Sequence, residues 1–98
     1  MTSVNSQLKA LAADLSGRIE QTEARLLQAA SKAGIWVTAD NRVSEQDLAK
    51  LLSMPVATLA NRRREGRAPP FYRMGVSGNS RVSYRVSEVA RWIEQTRE

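Results

Sequence analysis

The chain of 98 residues contains 15 Lys+Arg against 10 Asp+Glu, and it has neither His nor Cys. Without imidazole or thiol groups it lacks a histidine base, a cysteine nucleophile and a Cys/His zinc site, so we expect a non-enzyme with no metal or cofactor. No apolar run approaches the ~20 residues that span a bilayer and no secretory signal is evident, so we expect a cytoplasmic protein of one small domain plus an extension.

The first predicted element is one long amphipathic helix over residues 4–33. Apolar or small residues recur at positions 4, 8, 11, 15, 19, 22, 26, 30 and 33. This spacing repeats every eleven residues, close to the period of an undistorted helix. The phase continues through Gly17, and Gly34 ends the helix.

The apolar stripe of this helix must be covered by other protein surface. It either folds back on its own domain or pairs with a second chain, and the sequence favours neither. The residues that would form an oligomer contact are Leu8, Leu11, Leu15, Ile19 and Leu26. We therefore treat residues 1–34 as a packing or oligomerisation helix and residues 35–98 as a separate domain.

Domain 35–98 opens with a short hairpin over residues 35–43, in which Trp36 belongs to the core. Ser44 then caps a helix that ends near Ser53, with acidic residues in its first turn. A tight turn leads to a second helix over residues 56–65, terminated by Gly66. Two short helices joined by such a turn are typical of the helix-turn-helix motif.

After Pro69-Pro70, two alternating segments predict a β-hairpin. Tyr72 and Met74 alternate with Arg73 in the first strand, and Val82, Tyr84 and Val86 alternate with arginines and a serine in the second. We expect the arginines of both strands to share the face opposite the apolar residues. Ser87 caps a last helix, and the predicted core contains Leu52, Leu59, Tyr84, Val89, Trp92 and Ile93. The fold class is mainly α with a small β-hairpin.

The surplus positive charge lies in the same region. Residues 1–41 hold four basic and four acidic side chains, whereas residues 62–85 hold seven arginines and one glutamate. Arginine has a planar fork that binds phosphates and guanine edges, although a solvated basic face is the alternative. The charge indicates a nucleic-acid partner.

The segment from Val43 to Ile93 closely resembles the MerR-like winged helix-turn-helix of AlpA-type regulators and phage excisionases. The resemblance is carried by an ordered series of short motifs: Asp47-Leu48-Ala49-Lys50-Leu51-Leu52, Arg64-Glu65-Gly66, Pro69-Pro70-Phe71, Arg73-Met74-Gly75, Val82-Ser83-Tyr84-Arg85 and Val89-Ala90-Arg91-Trp92-Ile93. Pro55 departs from the family, which often has a capping serine there, and Arg62 stands where an aromatic is common.

This resemblance implies binding to double-stranded DNA, with the second helix in the major groove and the wing near the minor groove. The expected base contacts are Ala57, Asn61, Arg62 and Arg64. The expected phosphate or minor-groove contacts are Thr58, Arg63, Arg67, Arg73, Arg81 and Arg85, with a salt bridge as the alternative for Arg63. The wing tip is Gly78, Asn79 and Ser80, and Arg81, next to it, is the best minor-groove candidate.

We therefore expect a nucleoid-associated transcription regulator or excisionase of a mobile element, which oligomerises through its first helix or along DNA and can contact an integrase. A single domain of this size reaches one half-site, so specificity calls for several copies. The alternative is an oligomerisation adaptor whose first helix binds a protein and whose basic half is a non-specific DNA tether. RNA binding is less favoured, because no aromatic platform accompanies the arginines.

Overall fold

The first third of the chain forms one uninterrupted helix, α1 (Val4–Lys32), in the computed structural model, which describes residues 4–74 and 81–96. The helix continues through Gly17, as predicted. Gly34 ends it with a φ of 68°, and the Ile35 amide donates to the Ala30 carbonyl at 2.9 Å. No helix in the described ranges has the length and apolar content needed to cross a membrane.

Six further elements follow α1, and together they make the chain mainly helical with one small sheet. They are β1 (Arg42–Ser44), α2 (Glu45–Leu51), α3 (Val56–Arg64), β2 (Tyr72–Met74), β3 (Arg81–Arg85) and α4 (Val86–Gln95). The sheet is antiparallel with the order β1-β3-β2. The pairing of β2 with β3 confirms the predicted hairpin.

Two helix ends behave as the sequence predicts. Ser44 caps α2, because its Oγ accepts the Asp47 amide at 3.1 Å. The turn into α3 contains Ser53 in the left-handed region, with a φ of 55°. Pro55 precedes α3 and provides no side-chain cap, and Gly66 follows it with a φ of 73°.

Of the predicted hairpin over residues 35–43, the turn forms but the first strand does not. In the turn, the Thr38 amide donates to the Arg42 carbonyl at 3.0 Å. Residues 42–44 pair with β3, and this register sets Val43 opposite Tyr84. Both side chains are buried. Trp36, predicted as core, is 77% exposed.

The last helix begins at Val86, two residues earlier than a Ser87 cap predicts, so Ser87 is not its cap. Strand β3 runs directly into α4, and the Val86 amide donates to the Asn41 carbonyl at 2.8 Å. A carbonyl from the turn before β1 thus satisfies the first amide of the helix, and no side chain caps it.

The core lies between the sheet and the three later helices. Its fully buried members are Val43, Leu48, Ala49, Leu59, Tyr84, Val86 and Val89. Leu26 and Leu27 of α1 pack against this cluster. Leu52, Trp92 and Ile93, predicted as core, are only partly buried.

The stripe of α1 is covered over its second half, whereas two leucines of its first half are exposed. Ala30 is fully buried, and the Thr22 hydroxyl donates to Glu94 Oε2 of α4 at 2.9 Å. Leu8 and Leu11 are 57% and 66% exposed. Leu26 therefore packs within its own chain, and we no longer count it among the predicted oligomer contacts.

Replacing Leu59 by alanine tests the core. Leu59 is 1% exposed, so Leu59→Ala removes buried methyl groups and leaves a cavity, which lowers the free energy of unfolding by about 2 to 5 kcal/mol. Urea denaturation of dilute protein measures the change. Leu11→Ala makes the same chemical change at an exposed site and is the matched control. Equal losses in the two variants would contradict the described core.

Candidate nucleic-acid interface

The outward face of α3 carries the predicted base-contacting residues. Leu59 anchors the opposite face and is buried. At 3.6 residues per turn, Ala57, Asn61 and Arg64 project away from Leu59, and all three are exposed. Arg64 Nη1 donates to Asn61 Oδ1 at 3.2 Å, so an amide and a guanidinium stand side by side on the surface.

Thr58 and Arg62 lie on one flank of this face. They are four residues apart and therefore share a side of the helix. Arg62 is exposed and Thr58 is half-buried. The structure thus brings together four of the predicted base contacts and one predicted phosphate contact on a single short helix.

Arg63 points the other way, into a buried ion pair. Its Nε donates to Glu45 Oε2 at 2.7 Å and its Nη2 donates to Glu45 Oε1 at 3.2 Å. The Tyr84 hydroxyl donates to the same Oε2 at 2.6 Å. We call Glu45, Arg63 and Tyr84 the Glu45 triad. The Arg63 side chain is only 10% exposed, so Arg63 is removed from the predicted phosphate contacts.

The Glu45 triad is held in one protonation state at neutral pH. Burial alone would raise the pKa of Glu45, but hydrogen bonds from Arg63 and Tyr84 outweigh burial, and the pKa is lowered. The hydrogen bond to Glu45 raises the pKa of Arg63. Burial, aided by the hydrogen bond to Glu45, raises the pKa of Tyr84. Two charged groups and a neutral phenol therefore lock α2, α3 and β3 together.

Phe71 places an exposed arginine of the sheet beside α3. The guanidinium of Arg63 lies 5.4 Å from the Phe71 ring centroid and that of Arg73 lies 5.6 Å from it. Arg73 remains exposed. It lines a shallow surface groove together with Arg81, Trp36 and Val56, the first residue of α3. Arg73 and Arg81 thus lie near the start of α3.

The prediction that the strand arginines share one face is wrong. Arg73 stands opposite Val82, and Met74 stands opposite Arg81. Because directly opposed residues share a face and successive residues alternate, Arg73 lies on the face of Val82, whereas Arg81 and Arg85 lie on the other. Apolar and polar residues alternate within each strand as predicted. The register, however, places the apolar residues of one strand on the same face as the polar residues of the other.

Arg85 belongs to a separate charged cluster. Its guanidinium lies 3.5 Å from Asp40 Oδ2 and 3.7 Å from Glu88 Oε1, and it stacks over the Tyr72 ring at 5.1 Å. Arg42 Nε lies 2.8 Å from Asp40 Oδ2. The hydrogen bonds from Thr38 and then Arg42 lower the pKa of Asp40 to about 2. Arg85 therefore binds these groups on the sheet face opposite Tyr84. We no longer count it among the predicted phosphate contacts.

Two further predictions concern residues next to α3 and the hairpin turn. Arg67 follows Gly66, is exposed, and pairs with Glu65 at 2.5 Å. An exposed pair of this kind contributes little to stability, so Arg67 can exchange its partner for a phosphate. Gly78, Asn79 and Ser80, predicted as the wing tip, lie outside the described residues.

Few local signals in the sequence indicate the residues that support this surface. In the sequence, Glu45 stands out only as an acidic residue in the first turn of a helix, yet its hydrogen-bond partners lie 18 and 39 residues away. Phe71 stands out only as a residue of a predicted strand. Neither contact leaves a local periodic signal, because both depend on how α2, α3 and the sheet pack.

The pH dependence of stability tests the Glu45 triad. The folded pKa of Glu45 is lowered, so its contribution is complete above the unfolded pKa near 4.5 and is lost as pH falls toward the folded pKa. Glu45→Gln should lower the free energy of unfolding at pH 7 by on the order of 2 kcal/mol and flatten its decline below pH 4.5. Urea denaturation across pH measures both effects. Glu20→Gln, on the exposed side of α1, is the control and should leave the profile unchanged.

No family model, curated protein or solved structure matches this chain. The likeness to MerR-like regulators therefore remains a resemblance of motifs. The geometry of α3 and the arginines beside it is the basis for a functional proposal.

Proposed function

We propose that this chain is a sequence-specific double-stranded DNA-binding protein of the winged helix-turn-helix class, in which α3 enters the major groove. The observation that carries the proposal is the outward face of α3, where Asn61 and Arg64 are adjacent and exposed. An Asn amide pairs bidentately with adenine, and an Arg guanidinium pairs bidentately with guanine.

The charge on α3 supports this orientation. The helix Val56–Arg64 contains three arginines and no carboxylate. Glu45 neutralises Arg63 on the inner side, which leaves Arg64 on the outward face and Arg62 on its flank as exposed charges. A helix with that distribution suits the major groove, which is about 12 Å wide and bordered by phosphates.

Three arginines beside α3 supply the backbone contacts. Arg67 follows the helix, and Arg73 and Arg81 line the groove that includes the first residue of α3. Contacts to phosphate position a protein on DNA without reading sequence. In this arrangement Arg67, Arg73 and Arg81 fix the register in which Asn61 and Arg64 meet the bases.

The biological role that follows is a transcription regulator or an excisionase of a mobile element. The two roles differ in where the protein binds. Footprints at promoters support regulation, whereas footprints on closely spaced repeats at the ends of the element support excision and contact with an integrase.

An adaptor role is the second candidate, and the bare leucines of α1 favour it. In that case α1 binds a protein partner and the arginines hold DNA without sequence preference. It predicts equal affinity for all duplexes, which separates it from the first proposal.

The base contacts are tested by fluorescence anisotropy with DNA flanking the gene and with a random duplex. The double variant Asn61→Ala, Arg64→Ala should lose about 30-fold or more in affinity for the flanking DNA, because two bidentate pairs of about 1 to 3 kcal/mol each amount to about 2 to 6 kcal/mol of discrimination. Its affinity for random DNA should fall far less. Arg25→Ala removes the same charge from an exposed site on α1 and is the control. Equal losses on both duplexes would contradict base readout.

The phosphate contacts are tested by the salt dependence of binding. Five contacts, as the sequence suggested, would give a slope of log K against log salt of about −4 to −5. Without Arg63 and Arg85, three contacts give a slope near −3. Arg67→Ala should reduce its magnitude by about 0.9, whereas Arg85→Ala should leave it unchanged. A slope that responds to Arg85→Ala as strongly would place Arg85 on the DNA.

A further inference from the structure

The bare part of the α1 stripe continues an interface that is already formed within the chain. Arg18 Nε lies 3.4 Å from Glu94 Oε1, and Thr22 contacts the same carboxylate. Leu26, further along α1, packs against the cluster that contains Val86 and Val89. Since Glu94 lies late in α4 and Val86 begins it, α4 runs antiparallel to α1 and covers the stripe from about Arg18 onward.

Leu8 and Leu11 lie on this stripe but before the part that α4 covers. They are 57% and 66% exposed, and at 100° per residue they point in nearly the same direction as Leu15, Thr22 and Leu26. These two exposed leucines lie one helical turn apart and in line with the buried part of the stripe. This arrangement indicates that another helix covers them, as α4 covers the second half of the stripe.

We propose that the other helix is α1 of a second copy of this chain, packed antiparallel. The pattern at positions 4, 8, 11 and 15 is symmetric about its midpoint, with spacings of 4, 3 and 4. In an antiparallel pair, Leu8 of each chain therefore meets Leu11 of the other, and Leu15 faces the first turn of the partner helix. A two-fold interface requires this kind of self-complementary pattern.

The position of α4 is compatible with this register. The first residue of α1, Val4, stands opposite position 15 of the other copy, which is three residues short of Arg18, where α4 begins to contact α1. Helix α1 of the second copy, from Val4 onward, and α4, up to Glu94, therefore meet where the stripe passes from position 15 to Arg18. Both run antiparallel to α1, so the C-terminal end of α4 faces the N-terminal end of the second helix, an arrangement that the helix dipoles favour.

The charge of the segment also permits self-pairing. Residues 4–15 contain one lysine, Lys9, and one aspartate, Asp14, so two copies meet without net repulsion. Asp14 is further paired with Arg18 of its own chain. Since about three helical turns bury less area than a stable dimer interface requires, the pair is weak in solution and strengthens when DNA holds two copies close together.

Sedimentation of the full chain from micromolar to millimolar concentration, without DNA, tests the proposal independently of DNA binding. The mass should rise from 10.9 kDa toward that of two chains. Leu8→Asp, Leu11→Asp should remain monomeric throughout, and Ala13→Asp, exposed on the opposite side of α1, should behave as the wild type. Circular dichroism verifies that α1 persists in both variants. A wild-type chain that stays monomeric, or a leucine variant that still dimerises, would overturn the proposal.

The orientation is measured by pulsed electron resonance between spin labels. The chain has no cysteine, so Ala24→Cys, at an exposed site, carries the single label. The antiparallel register separates the two labels by about 45 Å, whereas a parallel pair separates them by about 20 Å. A distance near the shorter value would replace the antiparallel register by a parallel one and would refute the inference.

Discussion

The carboxylate of Glu45 is the point on which the orientation of the outward face of α3 depends. It stands at the start of α2 and accepts hydrogen bonds from Arg63 near the end of α3 and from Tyr84 in the central strand. Leu59 alone would fix how deep α3 sits, but a helix with one buried anchor can still rotate about its axis. The two-point grip on the Arg63 guanidinium fixes that rotation, and with it the direction of Asn61 and Arg64.

The arginines of the chain divide into those that build the protein and those that remain on its surface. Arg63 and Arg85 each face at least one carboxylate and an aromatic ring. Arg62 and Arg73 are exposed, and neither of them pairs with a carboxylate among the described residues. The partition explains why counting positive charges overestimates the number available to a polyanion, and why the carboxylates near α3 matter as much as its arginines.

Most of the fold followed from local signals in the sequence. The three-to-four spacing of α1, the serine before α2 and the glycines after α1 and α3 each act within a few residues, and each was confirmed. The predictions failed where a segment distant in sequence decides the pairing or burial of a residue. Strand β1 pairs with β3 and not with its sequence neighbour, and the β2–β3 register places Arg73 and Arg85 on different faces. Trp36 was assigned to the core by residue type, but the turn that frees residues 42–44 for β3 leaves it outside.

The packing of α1 against α4 has a consequence for how the chain reaches its native state. The Thr22–Glu94 contact joins residues 72 positions apart, whereas α2 and α3 close over a four-residue turn. Closing the long loop between α1 and α4 is slower, and costs more conformational entropy, than closing the short turn between α2 and α3. During synthesis α1 emerges well before α4, so its stripe stays uncovered while the middle of the chain folds. In that interval its leucines are exposed to other chains and to chaperones, and α4 closes the second half of the stripe only as one of the last steps.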